Sequence, residues 1–361
     1  MPTSRKEIPH HCPSPGPAVA PTLRAVRNNC HIADARHAAD FTLCVYLLKM
    51  REYYRWEFDI PFGTALPHKD LTGWLSVREA LWKTLEENPF EAIPVAEQCY
   101  DPFDAESINR HLTTIGYVYS SGIGYNRKPH FFLGALDKHC EFEGYTLYIS
   151  GREYARELTA PPAMSLGRTI FARRESLRRM LWEKIEEWRW NRPANAMQRA
   201  INCYDFENHP ETALDRMTDN EIDSVILHEI GEVMAGAELG NTWEDLLAAT
   251  PHTRTELLLR AVRDHLADAL STLPRLLNDL RPASVHFYIA NLGNLRKSLF
   301  PSLVSAYEDW VRSGNPAALE RVAMSGKDHW LALTQDIIEL YRIRTRDCWN
   351  RIAALVEKRT L

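Results

Sequence analysis

The sequence predicts an α+β fold, predominantly α, in which a region with a small antiparallel sheet is followed by a helical bundle. Three observations carry that prediction. Residues 113–150 hold short aromatic and β-branched runs of strand character. From Ser165 onward the apolar residues recur almost throughout at helical period. Pro161-Pro162 separates the two regimes, dividing an N-terminal region, 25–160, from a helical region, 161–361. A chain of 361 residues suits one large domain or two ordinary ones.

The elements follow in order. Residues 1–24 are proline-rich with little apolar periodicity and read as a disordered tail, in which His10, His11 and Cys12 offer at most an adventitious metal site. Asn28 or Asn29 is positioned to cap a long helix that ends before Pro61 and carries the stripe Cys30, Phe41, Cys44, Val45 and Leu48. A second helix runs over about 71–87 and is stopped by Asn88-Pro89. Thr113 to Ser120 and His130 to Leu136 form a hairpin, and Gly144 to Ser150 alternates as a third strand. The loop between the first two strands holds Gly122, Gly124, Arg127 and Lys128, an ordinary hairpin loop or an anion cradle.

Beyond the proline pair, Leu177, Leu181, Ile185 and Trp188 give a helical stripe whose Arg- and Glu-rich outer face reads as solvated. Pro193 is placed to open the next helix. Thr253 and Glu256 have the spacing of a capping box, and Pro274 kinks or ends the helix that follows. A last helix, about 328–358, buries Trp330, Leu333, Ile337 and Tyr341.

Composition narrows the function classes. A net charge of −5 gives no basic footprint for nucleic acid or an anionic membrane. No apolar run approaches the ~20 residues of a membrane span, and the N-terminus lacks the apolar core of a signal peptide. Seven cysteines, scattered and never spaced as CxxC, argue against a disulfide framework or a thiolate zinc site. The expectation is a cytoplasmic protein with neither nucleic-acid nor membrane partners. A small-molecule or peptide substrate stays unidentified, and the oligomeric state is not readable.

The chemistry concentrates in Thr218 to Gly240. Thr218 and Glu221 have capping-box spacing, and Ile222, Val225, Ile226, Ile230, Val233, Met234 and Ala237 form a broad apolar arc. With His228 at zero on a helical wheel, Glu232 lies about 40° away and Glu229 about 100° away. Glu229 therefore falls inside the apolar arc, while His228 and Glu232 sit on its edge one turn apart. A carboxylate aimed at a core needs a metal, a cationic partner or a proton. Gly231 and Gly236, unfavourable in a helix interior, imply close approach of a neighbour or a ligand to this face.

His228-Glu229-Ile230-Gly231-Glu232 resembles the HExxH helix of the zinc peptidases, the zincins, with the last His replaced by Glu. That resemblance implies His228 and Glu232 as metal ligands and Glu229 as the general base on a bound water. A His/Glu pair suits zinc, iron or manganese. This helix and the segment CHIADARHAADFTLCVYLLKMREYYRWE together resemble an uncharacterised bacterial protein family of unknown activity, which implies nothing about the reaction.

Two more helices offer an imidazole beside a carboxylate near an apolar face: Asp34 with His37, and His265 with Asp268. Two functions fit these three pairs. In the first, a metal-dependent hydrolase holds its divalent ion on His228, Glu232 and His265 or Asp268, with Asp34 and His37 as further candidates. In the second, a non-enzymatic binding or scaffold protein uses the same pairs as structural networks that fix helix register. Convergence of the pairs would favour the first. A buried Arg such as Arg263 or Arg296 against Glu229 would favour the second.

Overall fold

The computed structural model describes residues 15–124, 128–250, 253–279, 281–343, 345 and 347–361. The chain is α+β and mostly helical, and it divides into two units. The first comprises residues up to His139 together with Tyr148–Ala160; the second comprises Cys140–Leu147 and Pro161–Leu361. His10, His11, Cys12 and Arg127 lie outside the described residues.

In the first unit, α1 (Ala20–His37) starts earlier than expected, behind a single 3-10 turn at Pro17–Val19. Pro17 and Pro21 sit at the openings of these helices, where a missing N–H costs nothing. Val19 and Thr22 are buried, so this stretch belongs to the fold rather than to a tail. Asn29 is no cap. Its side chain donates to the Glu91 carbonyl and accepts from the Glu91 N–H, as a neighbouring strand would.

The predicted long helix is broken. Phe41 and Thr42 are extended, and α2 (Leu43–Glu57) restarts with a new phase. Met50, Tyr53 and Tyr54 turn inward, while Val45 and Leu48 of the expected stripe face solvent. Next come α3 (His68–Leu85), the short antiparallel pair β1 (Ile93–Val95) and β2 (Gln98–Tyr100), and α4 (Ala105–Leu112). Then β3 (Tyr117–Ile123) pairs antiparallel with β4 (Pro129–Glu141), which neighbours β5 (Thr146–Arg156). Val26, Cys30, Ile93, Ile108, Phe131 and Leu133 pack between α1, α4 and these strands.

The second unit claims the tip of the β4–β5 hairpin. There the Thr146 N–H donates to the Arg168 carbonyl, and the Arg168 side chain donates to the Gly144 carbonyl. A hairpin the sequence does not announce follows the proline pair: β6 (Ala163–Leu166) and β7 (Thr169–Arg173). Helices then run to the end: α5 (Arg174–Asn191), α6 (Ala196–Ile201), α7 (Pro210–Leu239), α8 (Asn241–Ala248) and α9 (Arg254–Ala267). The π-helical turn Asp268–Thr272 leads into α10 (Leu273–Asn278), α11 (Pro282–Asn291) and α12 (Asn294–Leu299). The chain ends with α13 (Pro301–Ser313), α14 (Ala317–Ile343) and α15 (Cys348–Lys358).

Several local expectations meet different outcomes. Asn195, not Pro193, caps α6. Thr253 caps α9 by accepting the Glu256 N–H, as the box predicts. Thr218 and Glu221 cap nothing, because α7 begins two turns earlier at Pro210; Thr218 instead donates back to the Leu214 carbonyl. The expected last helix is two, α14 and α15, and Trp330, Leu333 and Ile337 are fully buried in α14. These three join Leu258, Val262, Leu266, Phe300 and Ile352 in one core cluster.

Candidate metal centre

The site forms where α7 crosses the end of α9. Gly231 makes the crossing possible: a Cβ there would stand 2.2 Å from the Ala267 carbonyl oxygen. Only glycine lets the two backbones approach so closely. Gly236 meets nothing within 4 Å and has no such role. The approach sets His228 and Glu232 of α7 against Asp264 of α9. One ligand atom from each of these three lies within 4.8 Å of the others.

Asp268 organises the surroundings. It opens the π-helical turn and is 1% exposed. Its Oδ1 accepts from His228 Nδ1 at 2.8 Å and from the Thr272 hydroxyl at 2.8 Å. Its Oδ2 accepts from the Tyr288 hydroxyl at 2.9 Å and from the Arg296 guanidinium. Burial opposes the charge, but Arg296 and then His228 hold this carboxyl well below the usual range. Asp268 thus fixes the His228 ring by one nitrogen and leaves Nε2 for another partner. Carboxylates orient metal-binding histidines in this way.

The other groups carry opposed influences. Burial works against the His228 cation, yet Asp268, with Glu232 and Glu229 behind it, pushes that imidazole up to about 10. Burial pushes Glu232 up to about 7 against the pull of Arg263, which forms an ion pair with it. Burial also raises Glu229, partly offset by His228 and by a hydrogen bond from Ser165. Four carboxylates (Glu229, Glu232, Asp264 and Asp268) face two guanidinium groups, Arg263 and Arg296. His228, protonated at neutral pH, adds a third positive charge, so one negative charge is left over.

The remaining candidates go elsewhere. His265 is 1% exposed and stacks on Trp330 at 4.6 Å between ring centroids. Its Nε2 donates to the Arg296 carbonyl at 3.0 Å, and burial, reinforced by Arg296, pushes its pKa down to about 3. It is a neutral core histidine outside the donor cluster. Asp34 is buried and accepts the Leu158 N–H at 2.9 Å, and burial raises its pKa well above the usual range. His37 turns to Asp40 instead, at 3.2 Å near the surface. Asp34 and His37 therefore do not form the expected pair, and neither belongs to the cluster.

Asp264 is the member that pattern reading passes over, because it lies outside the apolar face of α9. Its signal is its spacing, one turn before Asp268, which matters only once Gly231 is known to mark a helix crossing. The two arginines considered as partners for Glu229 also find other acids. Arg263 meets Glu232, and Arg296 meets Asp268.

Fold and site together define a mostly helical α+β protein with a half-buried network of imidazole, carboxylate and guanidinium groups in its second unit, centred on the buried Asp268. The chain belongs to a family of unknown function, DUF6866: residues 22–173 match the family's N-terminal domain and residues 178–359 its C-terminal domain. Neither the curated proteins nor the solved structures contain a match to it. Among the described residues no helix is long and apolar enough to cross a membrane.

Proposed function

We propose that the protein is a metal-dependent hydrolase whose divalent ion is held by His228, Glu232 and Asp264 on facing helices. One observation carries this reading: three donors within 4.8 Å of one another, with the imidazole oriented from behind by a buried carboxylate. One nitrogen and two oxygen donors suit zinc, iron or manganese. Metal bonds of ~2.0–2.2 Å set neighbouring ligand atoms roughly 3.4 Å apart, so binding draws the three inward. Metal binding would displace the His228 proton, and four carboxylates against two guanidinium groups then leave two negative charges for a divalent cation. When bound, such an ion would lower the pKa of a water molecule. Glu229, raised by burial and steadied by Ser165, is the proton acceptor.

The Arg263–Glu232 and Arg296–Asp268 ion pairs favour a second reading, a non-enzymatic scaffold in which the network fixes how α7 and α9 cross. Elemental analysis separates the two. The purified protein, reconstituted with zinc, iron or manganese, is expected to hold close to one ion per chain. His228→Ala and Asp264→Asn should lose it while keeping the wild-type circular dichroism. Wild-type protein that stays metal-free after reconstitution would sink the hydrolase reading and leave the scaffold.

A further inference from the structure

The first unit contains a separate cavity of about 420 Å³ between α1, α2, α3 and β5. This volume lies in the range of small-molecule sites. Helix α3 forms one wall. Although 18 residues long, it buries only Arg78 and Trp82. Its residues Trp74, Val77 and Leu81 line the cavity at helical spacing, with Val77 71% and Leu81 39% exposed. Trp74 packs on Tyr53 and Tyr54 at the base of this face, while Val77 and Leu81 are turned onto open space.

The charged lining holds three arginines, Arg27, Arg78 and Arg152, against two acids, Glu57 and Glu153. Arg78 lies over the rings of Tyr53 and Trp74, at 5.4 and 5.1 Å from their centroids. Glu57 already takes its charge, with both oxygens at 2.6 Å from Arg78 Nη2. Arg27 is different. Its Nε donates to the Tyr154 carbonyl at 2.8 Å, which anchors the side chain. Its two terminal nitrogens have no carboxylate partner among the described residues. Arg152, also in the lining, has among the described residues only an exposed 3.4 Å pairing with Asp59. His31 nearby is neutral; burial, then Arg78 and Arg27, pushes it down to about 3. The cavity therefore joins an apolar wall to an anchored guanidinium whose free fork suits a carboxylate.

We infer that this cavity binds a small monocarboxylate, its apolar body against Trp74, Val77 and Leu81 and its carboxylate on Arg27 with Arg152 beside it. This site is independent of the metal reading.

The test uses the full chain and four probes: benzoate, 2-naphthoate, decanoate and the neutral 2-naphthamide. Binding is followed by calorimetry, with the Trp56 and Trp74 indole N–H resonances as local reporters. At least one acid is expected to bind saturably at one site per chain and to shift those resonances. If 2-naphthoate binds, 2-naphthamide should bind at least tenfold more weakly. Arg27→Gln should weaken the best acid at least tenfold, and Leu81→Glu, which sets a carboxylate on the exposed rim, should abolish binding. Should Arg27→Gln fail to fold, Leu81→Glu decides alone. The inference is overturned if none of the three acids binds, if the amide equals its acid, or if a folded variant binds like the wild type.

Discussion

Glu221 lies fully buried in the middle of α7, accepting from the Ser224 and Ser284 hydroxyls at 2.9 Å each. Burial pushes its carboxyl up to about 7 from an ordinary value near 4.5. A carboxyl raised by folding contributes stability below its unfolded pKa and loses it as pH climbs through the folded value. Its cost is therefore absent below about pH 4.5 and fully developed above about pH 7. Glu221→Gln, which keeps the shape without the charge, should stabilise the protein at pH 8 by up to about 3 kcal/mol relative to its effect at pH 4. Urea denaturation of both proteins at the two pH values measures this; an equal difference at both would refute it. The same residue shows a limit of pattern reading. Thr218 and Glu221 have the right letters for a helix start, but a box caps only where the helix begins, and Pro210 begins it earlier.

Among the elements, the crossing of α7 and α9 depends on Gly231. An alanine gains about 1 kcal/mol of helix propensity there. Its Cβ, however, would press on the Ala267 backbone carbonyl at 2.2 Å, which cannot rotate away. Overpacking of this kind costs about 1–3 kcal/mol. Gly231→Ala should lower the unfolding free energy by up to about 2 kcal/mol. Gly236→Ala, with nothing within 4 Å, should raise it by up to about 1 kcal/mol. Effects of the same sign and size for the two variants in a denaturation series would overturn the assignment. Periodicity made the buried faces of the C-terminal helices legible, as Leu177, Leu181, Ile185, Trp330 and Leu333 show. His228 and Glu232 were legible as one edge of a helix. Asp264 was not, because a helical wheel describes one helix and this residue gains meaning from the other. Strands β6 and β7 also escaped, being only 4 and 5 residues long and lying beside a much stronger helical signal.

For the whole molecule, the boundary drawn by sequence similarity and the one drawn by packing differ. The family's two domains meet between 173 and 178, which assigns β6, β7 and Ser165 to the N-terminal part. Packing places residues from Pro161 onward in the second unit, where β6 and β7 lie against α7. Ile170 and Phe171 of β7 are buried. A fragment spanning 178–359 would lose that apolar cover and the Ser165 contact to Glu229 together. Expressed alone, it should melt at least about 5 °C below a fragment spanning 161–361, as expected for a loss of roughly 2 kcal/mol in a unit of this size. Equal melting temperatures would show that the hairpin adds nothing to the helices.

The hairpin tip at Cys140–Leu147 has a further consequence, for inheritance. The chain passes from one unit to the other after His139, returns at Tyr148 and leaves again after Ala160. A single recombination point cannot therefore deliver either unit whole: a break at 160 strands the tip with the wrong neighbour, and a break at 139 strands a strand. Descent should treat the two parts as one indivisible block, shuffled into other genes together or not at all.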